Sequence, residues 1–234
     1  MSEPPQSIGA YVGNQREQPV FYRPGRTTGI IAIVLIAANT IAVMLNVAQL
    51  WQAVSLLDGY LNGTGPTYND VTASLATVSG ETALALAVFL AAGIAFLLWI
   101  TRVRGNAELL AGPESQRRSR GWAVGGWICP VVNLWFPYQI MTDIYRASAR
   151  RPVDGSIIGF WWAALVTNNV LGNAVARVIS SGPPTLGEVR AEAVLATATT
   201  ILQIVAALLI AMIIERVNTW QAAAVPDDQP SSRW

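Results

Sequence analysis

The sequence holds no histidine, no lysine and one cysteine, and only 12% of its 234 residues are charged. Each absence closes a class of function. Without histidine, the usual neutral-pH proton shuttle and the commonest metal ligand are gone. With Cys129 alone, neither a disulfide framework nor a cysteine-bound zinc can form within the chain. Cys129 is also the only soft nucleophile, and beside Pro130 it reads as a small buried apolar residue rather than a reactive thiol. Neither a glycine-rich phosphate loop nor a nucleophile elbow occurs. A net charge of +1 with a pI near 7.9 lacks the basic balance of a nucleic-acid protein. The expectation is a non-enzyme with no cofactor, no metal and no nucleic-acid partner. That all fifteen basic residues are arginine points to a GC-rich bacterial genome.

What the chain has in quantity is apolar residues: 53% are hydrophobic and the mean hydropathy is +0.41, more than an ordinary soluble domain carries. Its first partner is therefore the lipid bilayer. Four runs reach spanning length, residues 29–57, 82–100, 157–179 and 193–214, within a membrane domain of residues 29–214. The first run is far longer than a signal-peptide core, so it is expected to remain as an uncleaved span. Residues 1–28, with Pro4, Pro5, Pro19 and Pro24 among polar neighbours, and residues 215–234 read as disordered tails. Residues 58–81 read as a polar loop and residues 101–120 as a basic connector. The predicted fold class is an all-α integral membrane protein: four transmembrane helices, with a proline-broken hydrophobic segment at residues 121–141 between the second and third.

That segment is long enough to cross, but it carries Pro130, Pro137, Asn133, Gln139 and the pair Gly125-Gly126. Proline lacks a backbone donor and disfavours helix in the residue before it, so a straight span would contain two breaks. Arginine placement decides between the models. If the segment enters and leaves by one face, thirteen of the fifteen arginines lie on that face, with only Arg177 and Arg190 opposite; if it crosses, the split is ten against five. The first arrangement obeys the positive-inside rule better. It makes the segment a re-entrant or interfacial hairpin and puts both termini in the cytoplasm. Trp99, Trp161, Trp162 and Trp220 then fall at that interface and Trp51 at the other.

Inside the spans, polar residues recur at helical spacing. Asn39, Asn46 and Gln49 share a face of the first span with Ala42 and Ala53. Asn169, Asn173 and Arg177 repeat in steps of four in the third span, and Thr200 and Gln203 are three apart in the fourth. Two readings stay open: interhelical glue, each bond contributing about 0.6 kcal/mol, or a polar passage or small-molecule site between these spans. No acid–base pair lies deep in a span, so proton coupling finds no support. Arg177, near a helix end, can snorkel to the interface.

The stretch from Trp99 to Ser148 is the most informative. It contains Trp99, Arg102 and Asn106; Gly121-Trp122-Ala123-Val124-Gly125-Gly126-Trp127; Pro130-x-x-Asn133-Leu134-Trp135-x-Pro137-Tyr138-Gln139; and Asp143-x-x-Arg146-x-Ser148. Over residues 80–215 the chain resembles an actinobacterial family of multi-pass membrane proteins filed as a domain of unknown function, the Pro-x-x-Asn-Leu-Trp-x-Pro core being the most specific element. The resemblance implies four spans and a bacterial plasma membrane, and brings no activity or ligand with it. Arg102 with Asp143 is the expected long-range ion pair, while Arg102/Asn106 and Asp143/Arg146 can meet within one turn.

Tryptophans, arginines and amides concentrate here, so the leading expectation is a docking or assembly protein with a protein partner or a second copy as its target. Its cytoplasmic surface would comprise Trp99, Arg102, Asn106, Trp127, Pro130, Asn133, Trp135, Pro137, Gln139, Asp143 and Arg146. The runner-up is a small channel or transporter that uses the intramembrane stripe of Asn39, Asn46, Gln49, Asn169, Asn173 and Gln203.

Overall fold

A computed structural model describes residues 22–149, 151–178 and 185–224. Among them every regular element is helical: α1 (Arg26–Leu61), α2 (Tyr68–Ala111), α3 (Trp122–Ile128), α4 (Phe136–Ser148), α5 (Ser156–Val178) and α6 (Leu186–Ala224), with short 3-10 turns at Pro113–Ser115 and Val132–Leu134.

Local chemistry sets the helix ends. α1 stops at a turn that places Gly63 and Gly65 at φ 68° and 124°, a region strained for any residue with a Cβ. α2 then starts on a reciprocal cap, in which Thr67 Oγ accepts from the Asp70 N–H at 3.3 Å and the Asp70 carboxylate accepts from the Thr67 N–H at 2.7 Å. Thr185 and Glu188 repeat the device at the start of α6.

The helices outrun the sequence expectation in several places. The loop expected over residues 58–81 shrinks to residues 62–67 because α1 continues to Leu61 and α2 begins at Tyr68. The basic connector is helical as far as Ala111, since the Asn-Ala-Glu-Leu-Leu-Ala run ending it supplies good helix formers. α6 runs on to Ala224, through residues expected to be tail, and the amino-terminal stretch is tied down by Arg23. Residues 121–141 do not make one straight helix: α3 ends ahead of Pro130, a 3-10 turn follows, and α4 starts with Pro137 in its first turn.

α1 packs against α2 and α6, and α5 lies along α6. α3 and α4 fill the end of the bundle where α1 begins and α2 and α6 finish, here termed the near end. The main core concentrates there, around Trp99, Ile100, Val103, Ile140, Ile144, Trp161 and Ile214. A smaller cluster of Leu50, Val54, Val189 and Ala193 closes the far end.

The outside is as apolar as the inside. Ile41 and Leu45 on α1, Phe89, Leu90 and Ile94 on α2, and Ile201 and Leu208 on α6 are exposed, while Asn39, Thr40, Asn106, Asn218 and Gln221 are buried. In water such a surface would drive association; against hydrocarbon it is simply solvated, and only the polar groups need internal partners. Among the described residues three helices are long and apolar enough to cross a membrane: Arg26–Leu61, Ala83–Ala111 within α2, and Leu186–Ala224. α5, at 23 residues, is not one of them, and it carries Asn168, Asn169 and Asn173 in its second half.

Candidate functional site

Polar side chains gather in two regions, one at the near end and one at mid-depth. At the near end, Trp99, Ile100, Val103, Arg104, Asn106 and Ala107 form the buried side of α2 and meet the last turns of α6. Asn106 is the hub. Its Nδ2 donates to the Arg23 carbonyl at 2.8 Å and to Gln221 Oε1 at 2.9 Å, and its Oδ1 accepts from the Arg23 N–H at 3.0 Å. Gln221 Nε2 donates to the Val103 carbonyl and to Ser148 Oγ, each at 2.9 Å, and Ser148 donates onward to the Ile144 carbonyl at 2.7 Å. The stretch ahead of α1, α2, α4 and α6 are thereby joined by two amides that use every donor they have, the condition under which a buried polar cluster rigidifies a core.

Trp99 Nε1 donates to Asn218 Oδ1 at 3.0 Å, a further link between α2 and α6. Asn218 also explains Gly29, where a Cβ would lie 2.4 Å from Asn218 Nδ2 and 2.8 Å from Ile214 Cγ2.

Charged groups surround this latch. Asp143, 7% exposed, accepts from Arg117 Nε at 2.9 and 3.1 Å and from the Arg117 backbone N–H at 3.0 Å. The expected Arg102–Asp143 pair is therefore not formed: Arg102 sits on the exposed side of α2 and Arg117 takes its place. Arg118 Nε donates to Gln139 Oε1 at 3.0 Å, with its guanidinium 4.0 Å above the Phe136 ring. Glu108 receives both Arg104 and Arg120. Nor does Asp143 pair with Arg146, which is exposed beside Asp154. The Asp154 carboxyl is held below its ordinary pKa first by hydrogen bonds from the Ser156 hydroxyl and N–H, and least by Arg146.

The eleven residues anticipated for a near-end surface divide by direction. Trp99, Asn106, Pro137 and Asp143 are buried, and Gln139 is half-buried against Arg118. Trp127 packs among Phe96, Trp161 and Trp162, with ring centroids 5.2, 6.2 and 5.9 Å away. Asn133 is half-buried at the turn. Arg102, Pro130, Trp135 and Arg146 are exposed, and Pro130 and Trp135 share the tip of the broken segment with exposed Ile128, Val131 and Leu134. Sequence reasoning missed Asn218 and Gln221 because it ended α6 at Ile214. The available signal was their spacing, which continues the buried positions Ile210, Ile214 and Val217.

At mid-depth, α1, α5 and α6 flank an open cavity of about 280 Å³, lined by Val43, Asn168, Asn169, Gly172, Asn173, Thr199 and Gln203, of which Asn169, Gly172 and Asn173 are exposed. Asn169, Asn173 and Gln203 come together there. Asn39, Asn46 and Gln49 do not line it, although Asn39 is buried and the other two half-buried on the inner side of α1. Asn168 and Thr199 were not anticipated. Asn168 Nδ2 reaches Gln203 Oε1 at 3.4 Å across the α5–α6 contact, and Asn168 Oδ1 is buried without a partner. Toward the far end, Trp51 Nε1 donates to Thr197 Oγ at 3.0 Å and holds α1 to α6. The Arg177 side chain lies outside the described residues.

Described elements that are all helical, with three helices of membrane-crossing length, apolar residues outward and Asn39, Asn106, Asn218 and Gln221 buried, have the make of a membrane protein. It belongs to the family described as a domain of unknown function (DUF4328), whose model matches residues 62–219, from just after α1 to just short of Gln221. No curated protein and no solved structure matches the chain.

Proposed function

We propose a non-enzymatic four-span protein of a bacterial plasma membrane, with α1, α2, α5 and α6 crossing, both termini cytoplasmic, and residues 121–141 entering and leaving by the cytoplasmic face. The observation that carries this is a pair of clasps, Arg117 with Asp143 and Arg118 with Gln139, which join the chain ahead of the break to the helix after it. α5 serves as the fourth span because Asn168 meets Gln203 of α6, while Asn169 and Asn173 each direct an amide N–H to a carbonyl of α5 itself. Single cysteines at Ser119 and Ser156, in a Cys129→Ala background, test the arrangement with an impermeant thiol reagent on intact cells. Both should label only after the membrane is opened; labelling of Ser156→Cys alone from outside would mean that the segment crosses.

On this topology the near end is a docking or assembly platform on the cytoplasmic side. Its acids Asp143 and Glu108 are consumed internally, and Arg23, Arg26, Arg102, Arg146, Arg151 and Arg216 outnumber the exposed acids Glu114, Asp154 and Glu215, so the charge left for a partner is net positive. An acidic segment of a protein partner fits it. A photocrosslinker at Arg102 should capture one defined protein, and Arg146→Glu with Arg151→Glu should abolish the adduct; an adduct indifferent to charge reversal would sink the docking role. A second reading, binding or passage of a small solute inside the bundle, is favoured by the amide-lined cavity.

A further inference from the structure

We propose that the cavity between α1, α5 and α6 binds a small neutral polyhydroxylated solute of the glycerol class, which deepens the solute reading and rests on it. Depth is the first argument. Val43 lies midway along the 36-residue α1, about 25 Å from its start at a rise of 1.5 Å per residue, so the cavity sits near the middle of the bilayer in the four-span arrangement.

Charge is the second. Every polar side chain in the lining is uncharged, and an ion brought to that depth would find no counter-charge to offset its desolvation. Donor accounting is the third. Asn168 Nδ2 is directed to Gln203, Asn169 Nδ2 to the Leu165 carbonyl at 2.8 Å, Asn173 Nδ2 to the Asn169 carbonyl at 2.7 Å, and the Thr199 hydroxyl to the Ala196 carbonyl at 3.0 Å. Each asparagine Nδ2 has a second hydrogen beyond these bonds, and the lining also holds acceptors, among them the buried, unpartnered Asn168 Oδ1. Amide donors and acceptors side by side suit hydroxyl groups, which both donate and accept.

Size is the last. About 280 Å³ is at or below the lower end for drug-sized ligands, and Val43 with Gly172 gives the apolar wall that the carbon chain of a polyol needs. Gly172 is not required for packing, since a Cβ there would meet no atom within 4 Å; its absence leaves room in the cavity.

The full chain, purified in mild detergent, would be probed with glycerol and erythritol by saturation-transfer NMR, and after reconstitution by stopped-flow liposome swelling. Gly172→Leu adds bulk to the cavity lining at a position where a Cβ meets nothing within 4 Å, and Asn168→Leu removes the buried acceptor. Each should weaken glycerol binding about tenfold, as expected when a hydrogen-bonding site is blocked or loses a partner. Gly172→Leu should melt with the wild type, so its loss cannot be assigned to misfolding. If glycerol fails to bind but potassium or acetate flux is abolished by Gly172→Leu, the solute reading survives and the polyol class is overturned. If no binding or flux responds to Gly172→Leu, both fall. Disulfide crosslinking of two copies through Gly172→Cys, in a Cys129→Ala background, would assign the cavity to self-association and equally overturn the proposal.

Discussion

The amide latch can be tested through Gln221→Met, which keeps the volume of the side chain and deletes its polar atoms. Gln221 makes three hydrogen bonds, to Asn106, to the Val103 carbonyl and to Ser148, and is 1% exposed. Their losses are unequal. The Val103 carbonyl lies inside α2 and Ser148 keeps its bond to Ile144, so neither is orphaned. Asn106, 1% exposed, retains Arg23 but is left with one Nδ2 hydrogen pointing at a thioether.

A stranded buried donor costs about 1–3 kcal/mol and each of the other two lost bonds about 1 kcal/mol net, which together put the change at about 3–5 kcal/mol. For a chain of this size that corresponds to a melting temperature lower by about 6–20 °C. The assay is thermal unfolding in mild detergent followed by tryptophan emission, with exposed Thr219→Met as the neighbouring control. Because the Asn106–Gln221 bond can be lost only once, Asn106→Leu combined with Gln221→Met should cost less than the sum of the two by about 1 kcal/mol. A Gln221→Met protein that melts with the Thr219→Met control, or strict additivity in the double variant, would refute the latch.

Gly29→Ala should destabilise by about 1–3 kcal/mol through contact with Asn218 and Ile214, whereas Gly93→Ala, with open space around it, should be neutral or stabilising by up to about 1 kcal/mol; comparative melting checks both. Asp143→Ala should release the chain ahead of α3, seen as trypsin cleavage after Arg117 and Arg118 rising severalfold at the detergent-solubilised near end. Asp154 has a folded pKa below its unfolded one, so its contribution at the start of α5 is present above the unfolded value and lost as pH falls through the folded value. Hydrogen exchange at Ile157 and Ile158 should therefore accelerate, beyond its intrinsic pH dependence, only below about pH 4, and Asp154→Ala should remove that step.

What could be read from residues alone was whatever rests on composition and local stereochemistry. Three of the apolar runs fall within helices of membrane-crossing length, and the break at Pro130 and Pro137 is where the chain leaves helical geometry. The inner side of α1 was visible as a spacing of polar residues. Mixed-polarity ends were not legible. Residues 101–111 and 215–224 carry charges and amides that resemble loop or tail, yet Arg104, Asn106, Asn218 and Gln221 among them are buried by the helices. A hydropathy criterion ends a span where its polar residues begin, and here the latch begins at that point. The mid-depth cavity was half legible for a related reason. Asn169, Asn173 and Gln203 announce polar groups within spans, but that α1 meets them through Val43 rather than through Asn39 or Asn46 depends on how α1 is rotated about its axis.

The partner of Asp143 shows where such reasoning ends. At about 100° per residue, buried Trp99, Val103, Asn106 and Ala107 put Arg102 outside their arc, so the helical wheel already disqualifies it once the helix is known to extend past Ile100. Arg104 fails for another reason: it is buried, but Glu108 one turn later captures it. Arg117, Arg118 and Arg120 remain, in a stretch with no period to orient them. The choice among these is made by backbone. Gly112, at φ 81°, and Pro113 end α2 and turn the chain through a 3-10 turn toward α4, so that the Arg117 N–H and guanidinium both reach the carboxylate while Arg118 is passed on to Gln139 and Phe136. Gly112→Ala should therefore act at a distance. It forces a side chain into the left-handed region against Glu114, and it should loosen the Asp143 clasp even though neither partner is touched. Tryptic cleavage after Arg117 in Gly112→Ala should match that in Asp143→Ala, and wild-type protection there would show that the clasp does not depend on this turn.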